Sequence, residues 1–156
     1  DKTAAYQMGV ALLARHHIIE LGREQIIHVW VSNQGPDWEH DLHQSNLDLA
    51  ILLAYQLAQN WGATITLNMA VPDEETASKA REFLVQLISL ARLPKKTSCS
   101  VLALPFDKAL EKTPHADLTV FGLSQEPDLK FMQNLSQEVK GSCIFIRGSG
   151  EESVLA

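Results

Sequence analysis

Hydrophobic residues recur along this chain with two alternating periods. Five short runs are apolar and β-branched, or alternate with polar residues, which is typical of strands: 26–32, 64–70, 98–104, 118–121 and 143–147. Between them, four segments repeat apolar residues every three or four positions, which is typical of amphipathic helices: 45–61, 72–93, 106–112 and 128–140. Strands that alternate with helices predict an α/β fold with a parallel sheet, right-handed crossovers and helices on both faces.

The first 25 residues follow a less distinct pattern. Residues 3–14 are predicted to be helical, and residues 16–21 either continue that helix or form a strand. In the second case, residues 22–25 turn the chain back as a β-hairpin arm that leads into the 26–32 strand. We therefore divide the chain into a segment with the N-terminal helix and the potential hairpin arm (1–25), an α/β domain (26–148) and a tail (149–156).

The order of the five strands in the sheet determines where a ligand could bind. The pattern predicts a doubly wound, mainly parallel five-stranded sheet with the spatial order 3-2-1-4-5. The winding reverses between the first and fourth strands, and ligands of such sheets bind at the carboxyl ends of the strands at that point. If this chain has a ligand site, we expect it in a cleft near Ser32, Asn33, Gly122 and Ser124.

Composition and charge restrict the class of protein. The 156 residues are 46% hydrophobic and 21% charged, which is typical of a single soluble globular domain. A net charge of −6 argues against nucleic acid as a partner. The longest apolar stretch, 47–58, is well short of the ~20 residues that cross a bilayer, so we expect no membrane insertion. The first residue is Asp1 rather than Met, from which we expect a piece of a longer chain.

The sequence contains no motif for a phosphate-binding loop. Neither G-x-G-x-x-G nor G-x-x-x-x-G-K-[ST] occurs. The segment after the fourth predicted strand, 122–128, has one glycine and two acidic residues, and acidic side chains repel phosphate. We therefore expect no bound nucleotide and no other cofactor.

Candidate metal ligands and nucleophiles are equally sparse. His40 and His43 lie three positions apart in the acidic segment 38–43 and would converge on a metal if that segment formed a helical turn. No third ligand accompanies them, so we interpret the segment as a solvated loop. No Gly-x-Ser-x-Gly motif occurs, and neither Cys99 nor Cys143 has a neighbouring histidine in the sequence. We predict that the chain has no catalytic residues and is not an enzyme.

Three side chains call for a structural interpretation. His28 and Trp30 lie two residues apart on the first predicted strand, so they point to the same face, where we expect both to be packed groups rather than catalytic ones. Trp38 lies in a polar loop and is a candidate interface anchor, because exposed tryptophans often serve that role.

Seven short segments, taken together, have the order and approximate spacing of a known family. They are 27–31 (IHVWV), 46–47 (NL), 52–55 (LLAY), 61–63 (WGA), 116–123 (ADLTVFGL), 146–148 (IRG) and 153–155 (SVL). In these segments the chain resembles the cytosolic carboxy-terminal domain of cation-chloride cotransporters, over nearly its whole length from about residue 16.

The resemblance implies a fold and a function. The fold would be like that of universal stress proteins, and the predicted sheet itself fits either a universal-stress-protein-like or a flavodoxin-like arrangement. The chain would lie on the cytoplasmic side of the cell membrane, as a regulatory or dimerisation domain of a transporter that couples chloride to sodium or potassium. Its partners would be a second copy and the transmembrane domain of the parent, whose membrane helices carry the ions. The chain lacks the long charged insertion of vertebrate members before the fourth strand, which suggests a compact prokaryotic version.

Two other functions remain open at this point. The first alternative is a stand-alone protein, similar to universal stress proteins, that binds a small molecule or nucleotide in the cleft near Asn33 and Ser124. The second is a metal-dependent enzyme built on His40 and His43.

Overall fold

A six-stranded sheet forms the middle layer of the computed structural model, which describes residues 8–38, 46–123 and 128–155. The strands are β1 (Val10–Ala14), β2 (Ile26–Trp30), β3 (Thr64–Ala70), β4 (Ser98–Leu102), β5 (Leu118–Gly122) and β6 (Ser142–Arg147). The helices of the described residues are α1 (Leu47–Trp61), α2 (Glu74–Leu90), α3 (Phe106–Lys112) and α4 (Leu129–Glu138).

The strands lie in the order β1-β6-β5-β2-β3-β4. The neighbouring strands from β6 to β4 are all parallel to one another, and β1 is antiparallel to β6. The α/β class and the relative order of the five predicted strands are therefore confirmed. The predicted strand count is wrong by one, because β1 adds a sixth strand at the edge.

The predicted N-terminal helix is wrong for the residues that can be compared. Val10–Ala14 is a strand, and residues 3–7 lie outside the described part of the chain. Pairing with β6 over five register positions outweighs the weak helical pattern of this short apolar run. Nor does the following segment form a hairpin with β2, since β2 pairs with β3 and β5. It makes a turn instead, in which Glu20 N–H donates to His16 O at 3.0 Å.

Helices cover both faces of the sheet, as predicted. One face packs α1 and α2 around a large buried cluster that includes Ile51, Leu84 and Leu118. The other face packs the two shorter helices, α3 and α4, around a smaller cluster that includes Trp30, Phe121 and Phe145. Because seven- and ten-residue helices cover less of a sheet than helices of 15 and 17 residues, the second face is the one that leaves room for a cavity.

Local interactions define where the helices begin and end. The Asp73 carboxylate accepts from Thr76 N–H at 2.7 Å and starts α2, and the Asp128 carboxylate accepts from two backbone N–H groups and starts α4. At the end of α1, Gly62 has a φ of 68°, a conformation that glycine adopts without the strain other residues meet. Gly62 N–H donates to Ala58 O and ends that helix.

Asp117 anchors the N-terminal turn to the sheet. Its buried carboxylate accepts hydrogen bonds from the backbone N–H groups of Arg23 (3.0 Å), Gln25 (2.9 Å) and Ile26 (2.9 Å). Gly22 lies against the same carboxylate, and a Cβ at that position would be 2.2 Å from Asp117 Oδ1. The entry to β2 is therefore fixed by one side chain at the start of β5.

Candidate functional site

Three aromatic side chains form a continuous row across the centre of the sheet. Trp30 on β2 is in register with Phe121 on β5, which is in register with Phe145 on β6. Directly opposed residues on neighbouring strands share a face, so the three rings lie side by side. The rings of Phe121 and Phe145 stack at 5.6 Å, and Phe106 from α3 packs edge-on against Trp30 at 5.1 Å. We call Trp30, Phe121 and Phe145 the aromatic row.

A cavity of about 590 Å³ lies against this row, which we call the switch-point cavity. Phe106 from α3 and Phe131 from α4 also line it, so aromatic groups come from the sheet and from both helices of this face. It lies where the winding of the sheet reverses, at the carboxyl ends of β2 and β5. The predicted cleft residues Ser32, Asn33 and Gly122 line it. Ser124 lies outside the described residues.

Most polar groups on the cavity lining already have partners within the chain. Asn46 Nδ2 donates to Leu123 O at 2.6 Å, and its Oδ1 accepts from Gly148 N–H at 3.0 Å. Asn33 Oδ1 accepts from Gly35 N–H at 2.9 Å. The Asp128 carboxylate accepts from the first N–H groups of α4, at 2.9 and 3.1 Å. These hydrogen bonds fix the positions of the polar side chains that line the cavity.

One buried side-chain donor of the aromatic row has no hydrogen-bond partner, and Trp30, which carries it, lines both this cavity and a smaller one beside His28. Trp30 is 7% exposed, and its indole Nε1 is buried without a hydrogen bond. Among the described residues, Thr97 Oγ1 is also buried without a hydrogen-bond partner, but Thr97 does not line the cavity. A buried donor without an acceptor destabilises the fold unless something satisfies it.

The charge on the cavity lining is acidic. Asp128 is the charged side chain among the lining residues, and lysine, arginine and histidine do not occur in that set. A phosphate group binds where basic side chains or free N–H groups face it. In the described part of the cavity, the lining offers no basic side chain to a phosphate.

A smaller cavity of about 140 Å³ lies nearer the amino ends of the strands, next to His28. His28 is 5% exposed, which agrees with the expected packed position. Burial and repulsion from His115 lower the pKa of His28 from 6.5 to about 4. The other titratable groups that line this cavity are Glu111, Glu138 and Lys140. His28 is thus a neutral interior group at neutral pH.

Asp117 is a second buried titratable group, 4% exposed. Burial alone raises the pKa of this carboxyl, but the hydrogen bonds from Gln25, Arg23 and Ile26, with the nearby His115, together hold its pKa below the usual 3.8. His115 Nε2 lies 3.6 Å from Asp117 Oδ1. These contacts give Asp117 a structural role in anchoring the turn.

The remaining candidates from the sequence are the histidine pair, the two cysteines and Trp38. His40 and His43 lie outside the described residues, and within the described ranges no three metal-ligating side chains converge. Cys143 is fully buried, and burial raises its pKa to about 12, whereas Cys99 is half-buried. Trp38 is half-buried and packs against Phe83 at 5.9 Å, so the expectation of an exposed anchor at Trp38 is wrong.

The tail is attached to the start of α1. Val154 N–H donates to Asp48 Oδ1 at 2.6 Å, and the side chains of Val154 and Leu155 pack against the larger core cluster. Glu152 accepts from Ser149 N–H and Oγ–H and folds the tail into a turn. The sequence pattern identified Val154 and Leu155 as apolar, but it did not indicate the hydrogen-bond partners of Asn46, Asp48 and Asp117, which lie far away in the sequence.

Comparisons with known proteins bear on the whole chain. A family model described as the second part of the C-terminal domain of prokaryotic cation-chloride cotransporters matches residues 22–155. No curated protein matches the chain. One similar solved structure is described as the crystal structure of the cytoplasmic domain of a prokaryotic cation chloride cotransporter. The two chains are 37% identical with a TM-score of 0.89, and the match covers 99% of this chain and 58% of the other.

These findings agree with the seven segments that carry the resemblance. Within the described residues, none of the helices has the length and apolar character needed to span a membrane. The family model covers well over half of the chain, and the fold is that of the similar structure. This chain therefore belongs to the family of prokaryotic cation-chloride cotransporter C-terminal domains.

Proposed function

We propose that this chain is the cytoplasmic domain of a chloride-coupled cation cotransporter, and that it regulates the transporter by dimerising and by contacting its transmembrane domain. The observation that carries the proposal is the match of residues 22–155 to the family model, together with the fold shared with a 37% identical cytoplasmic domain. Since this chain spans 58% of that relative, the ions and partners of the whole transporter are part of the proposal.

Several groups that could perform chemistry have structural tasks instead, which supports a non-catalytic role. Asp117 binds three backbone N–H groups, and Asp128 caps a helix. His28 and Cys143 are buried, and burial moves the pKa of each away from the reactive range near neutrality. A rigid module acts by binding in one state of the transporter and not in another, and so by shifting the balance between those states.

The surface that we assign to the dimer contact is the outer edge of β1. Leu12 and Leu13 are 42% and 55% exposed, and Ile18 in the following turn is 75% exposed. Among the described strands, β1 pairs with β6 alone, so its other edge is open to a second copy. Two β1 strands related by a two-fold axis would pair antiparallel and bring these apolar side chains together, which is the self-complementary geometry a homodimer needs.

The dimer contact is tested by introducing a charge at the edge of β1. We expect Leu13→Lys to prevent dimer formation, because a lysine on an edge strand opposes pairing with another strand. Val85→Lys on α2 is the matched control, since Val85 is 58% exposed and lies on a different surface. Sedimentation equilibrium should give twice 17.3 kDa for the wild-type chain and the control, and 17.3 kDa for Leu13→Lys. A monomeric wild type would contradict the proposed contact.

The regulatory role is tested in the whole transporter. Rubidium and chloride uptake are measured in proteoliposomes that contain the full-length cotransporter, the same protein without this domain, and the Leu13→Lys variant. We expect deletion and Leu13→Lys both to change the rate of uptake while the amount of inserted protein stays equal. Unchanged uptake and unchanged dimer content after deletion would refute the regulatory proposal.

A further inference from the structure

The turn that follows β1 is closed by its backbone and tied to the sheet through Ser142. His16 N–H donates to Ser142 Oγ at 2.8 Å, and the Ser142 hydroxyl donates to Glu20 O. Glu20 N–H donates back to His16 O at 3.0 Å. Glu20 has a φ of 53°, a left-handed conformation that favours glycine over a residue with a side chain. The turn therefore depends on its hydrogen bonds, because its backbone conformation is unfavourable for this sequence.

The ring of His16 holds the tip of the turn. Its Nδ1 accepts hydrogen bonds from Ile18 N–H at 3.2 Å and from Ile19 N–H at 3.1 Å. An imidazole nitrogen that accepts carries no proton, so these bonds need a neutral ring with its proton on Nε2. In the imidazolium both nitrogens are donors, and Nδ1–H would face two other N–H groups. One proton on His16 therefore removes two hydrogen bonds at once.

The charged groups beside the His16 ring belong to the same turn. The ring of His17 stacks on that of His16 with the centroids 4.9 Å apart, so two imidazolium rings would repel each other. Glu20 would attract an imidazolium, but its carboxylate lies 3.7 Å from the guanidinium of Arg15. Both neighbours therefore titrate or pair within the turn itself.

The segment that contains the turn also packs against β6 and the start of β5. β6 contributes the hydroxyl of Ser142, and its charged residue, Arg147, lies at the opposite end of the strand. Asp117 binds N–H groups farther along the segment, at residues 23, 25 and 26. Glu138 and Lys140 precede β6 and line the smaller cavity. The sheet thus gives the turn a hydroxyl, while these charged groups act elsewhere.

The geometry of the turn makes it sensitive to acid, because histidine takes up a proton between about pH 8 and pH 5. We propose that residues 16–20 form a pH-sensitive latch, which is closed while His16 Nδ1 accepts from Ile18 and Ile19 and which opens at its tip when His16 is protonated. The link through Ser142 does not titrate, so the turn stays attached to β6 while residues 17–19 loosen.

Opening of the latch would reach the surface that we assign to the dimer contact. Ile18 lies at the tip and is 75% exposed. Acid should therefore weaken dimer formation, since the apolar side chain is no longer held in one position. This consequence rests on the proposed function, whereas the latch itself rests on the hydrogen bonds of the turn alone.

His16→Asn separates the hydrogen bonds from the proton. An asparagine side-chain oxygen accepts from N–H groups shortly after it in the chain, as in Asx-turns, and the amide does not titrate near neutral pH. His17→Asn is the matched control, because it removes the neighbouring ring and leaves the Nδ1 acceptor of His16 in place. His16 is half-buried and His17 is exposed, so both variants should fold.

Amide hydrogen exchange, followed by NMR at pH 7 and pH 5, reports whether the tip is open. Protection factors correct for the direct effect of pH on exchange. In the wild type and His17→Asn, those of Ile18 and Ile19 should fall about two- to tenfold at pH 5, as expected for the loss of one neutral hydrogen bond each. In His16→Asn they should stay constant. All three proteins keep His28, so its effect on global stability is common to them. No fall in the wild type, or an equal fall in His16→Asn, would overturn the latch.

Sedimentation equilibrium at the same two pH values tests the consequence for the dimer. The dissociation constant of the wild-type dimer should rise about two- to tenfold at pH 5, and that of His16→Asn should rise less. Equal rises, with an open latch in the exchange data, would refute the coupling of the latch to the dimer contact. A wild type that is monomeric at both pH values would refute the dimer contact, and the exchange data would then decide the latch by themselves.

Discussion

The burial of His28 predicts a specific loss of stability in mild acid. Burial and repulsion from His115 lower the pKa of His28 from 6.5 to about 4, so the folded chain takes up the proton later than the unfolded chain as the pH falls. The stabilisation by neutral His28 is complete above about pH 6.5 and is lost as the pH falls towards 4. Since one pKa unit corresponds to about 1.4 kcal/mol, the total loss is about 3 kcal/mol.

The measurement compares the wild type with His28→Gln, which has no titrating group at this position. Urea unfolding at pH 7 and pH 4.5 gives the free energy of unfolding of each protein. We expect the wild type to lose about 2–3 kcal/mol more than His28→Gln between these two pH values. Carboxylates with lowered pKa, such as Asp73 and Asp117, lose their contributions below about pH 4, so they affect this interval little.

A second histidine variant serves as the control. His17 is exposed in the N-terminal turn, and His17→Gln should lose the same free energy as the wild type on acidification. The ring protons of His28, followed by NMR, should titrate near pH 4 in the folded chain. Equal losses for the wild type and His28→Gln, or a His28 titration near pH 6.5, would refute the argument from burial.

Three further predictions concern stability and reactivity. Asp117→Asn should lower the free energy of unfolding at pH 7 by about 2–4 kcal/mol, because the amide cannot accept from all three N–H groups. The control Asp37→Asn, in an exposed loop, should change the free energy of unfolding by less than about 0.5 kcal/mol. Equal effects of the two substitutions would contradict the anchoring role of Asp117. Gly141→Ala should lower the free energy of unfolding by about 1–3 kcal/mol, since the new Cβ would lie 2.5 Å from the backbone carbonyl oxygen of Ala116. An unchanged melting temperature would contradict that clash. In thiol labelling of the folded chain, Cys99 should react and Cys143 should react only after denaturation; labelling of both thiols without denaturant would contradict the burial of Cys143.

The sequence allows much of the fold to be predicted, because the two periods of hydrophobicity differ clearly from 26 onwards. It does not allow β1 to be predicted, since five apolar or small residues have no period that separates a strand from a helix. The strand conformation of Val10–Ala14 is set by pairing with β6. The local sequence pattern does not predict this pairing, because β6 lies far away in the sequence. The topology also predicts where a cleft lies, and Ser32, Asn33 and Gly122 line the cavity found there.

The aromatic lining of the cavity depends on the register between neighbouring strands, which cannot be predicted from the sequence pattern. Trp30, Phe121 and Phe145 each look like an ordinary core residue, and they form a row only because three strands align them at the same height. The missing partner of the Trp30 indole is likewise a property of the packed structure. Asn46 and Asp117 are short polar residues next to a helix and a strand, and their distant partners become known only when the chain is folded.

The pairing of β1 with β6 has a consequence for synthesis on the ribosome. Their paired residues are separated by about 130 positions, so of the six described strands β1 emerges before the others and β6 after them. At typical elongation rates, β1 waits roughly 6–26 s before it can join the sheet. During that interval its apolar residues have no strand to pair with, and nascent chains on neighbouring ribosomes can capture them. The sheet can therefore be completed only after β6 has left the ribosome, and the interval before that exposes β1 to aggregation.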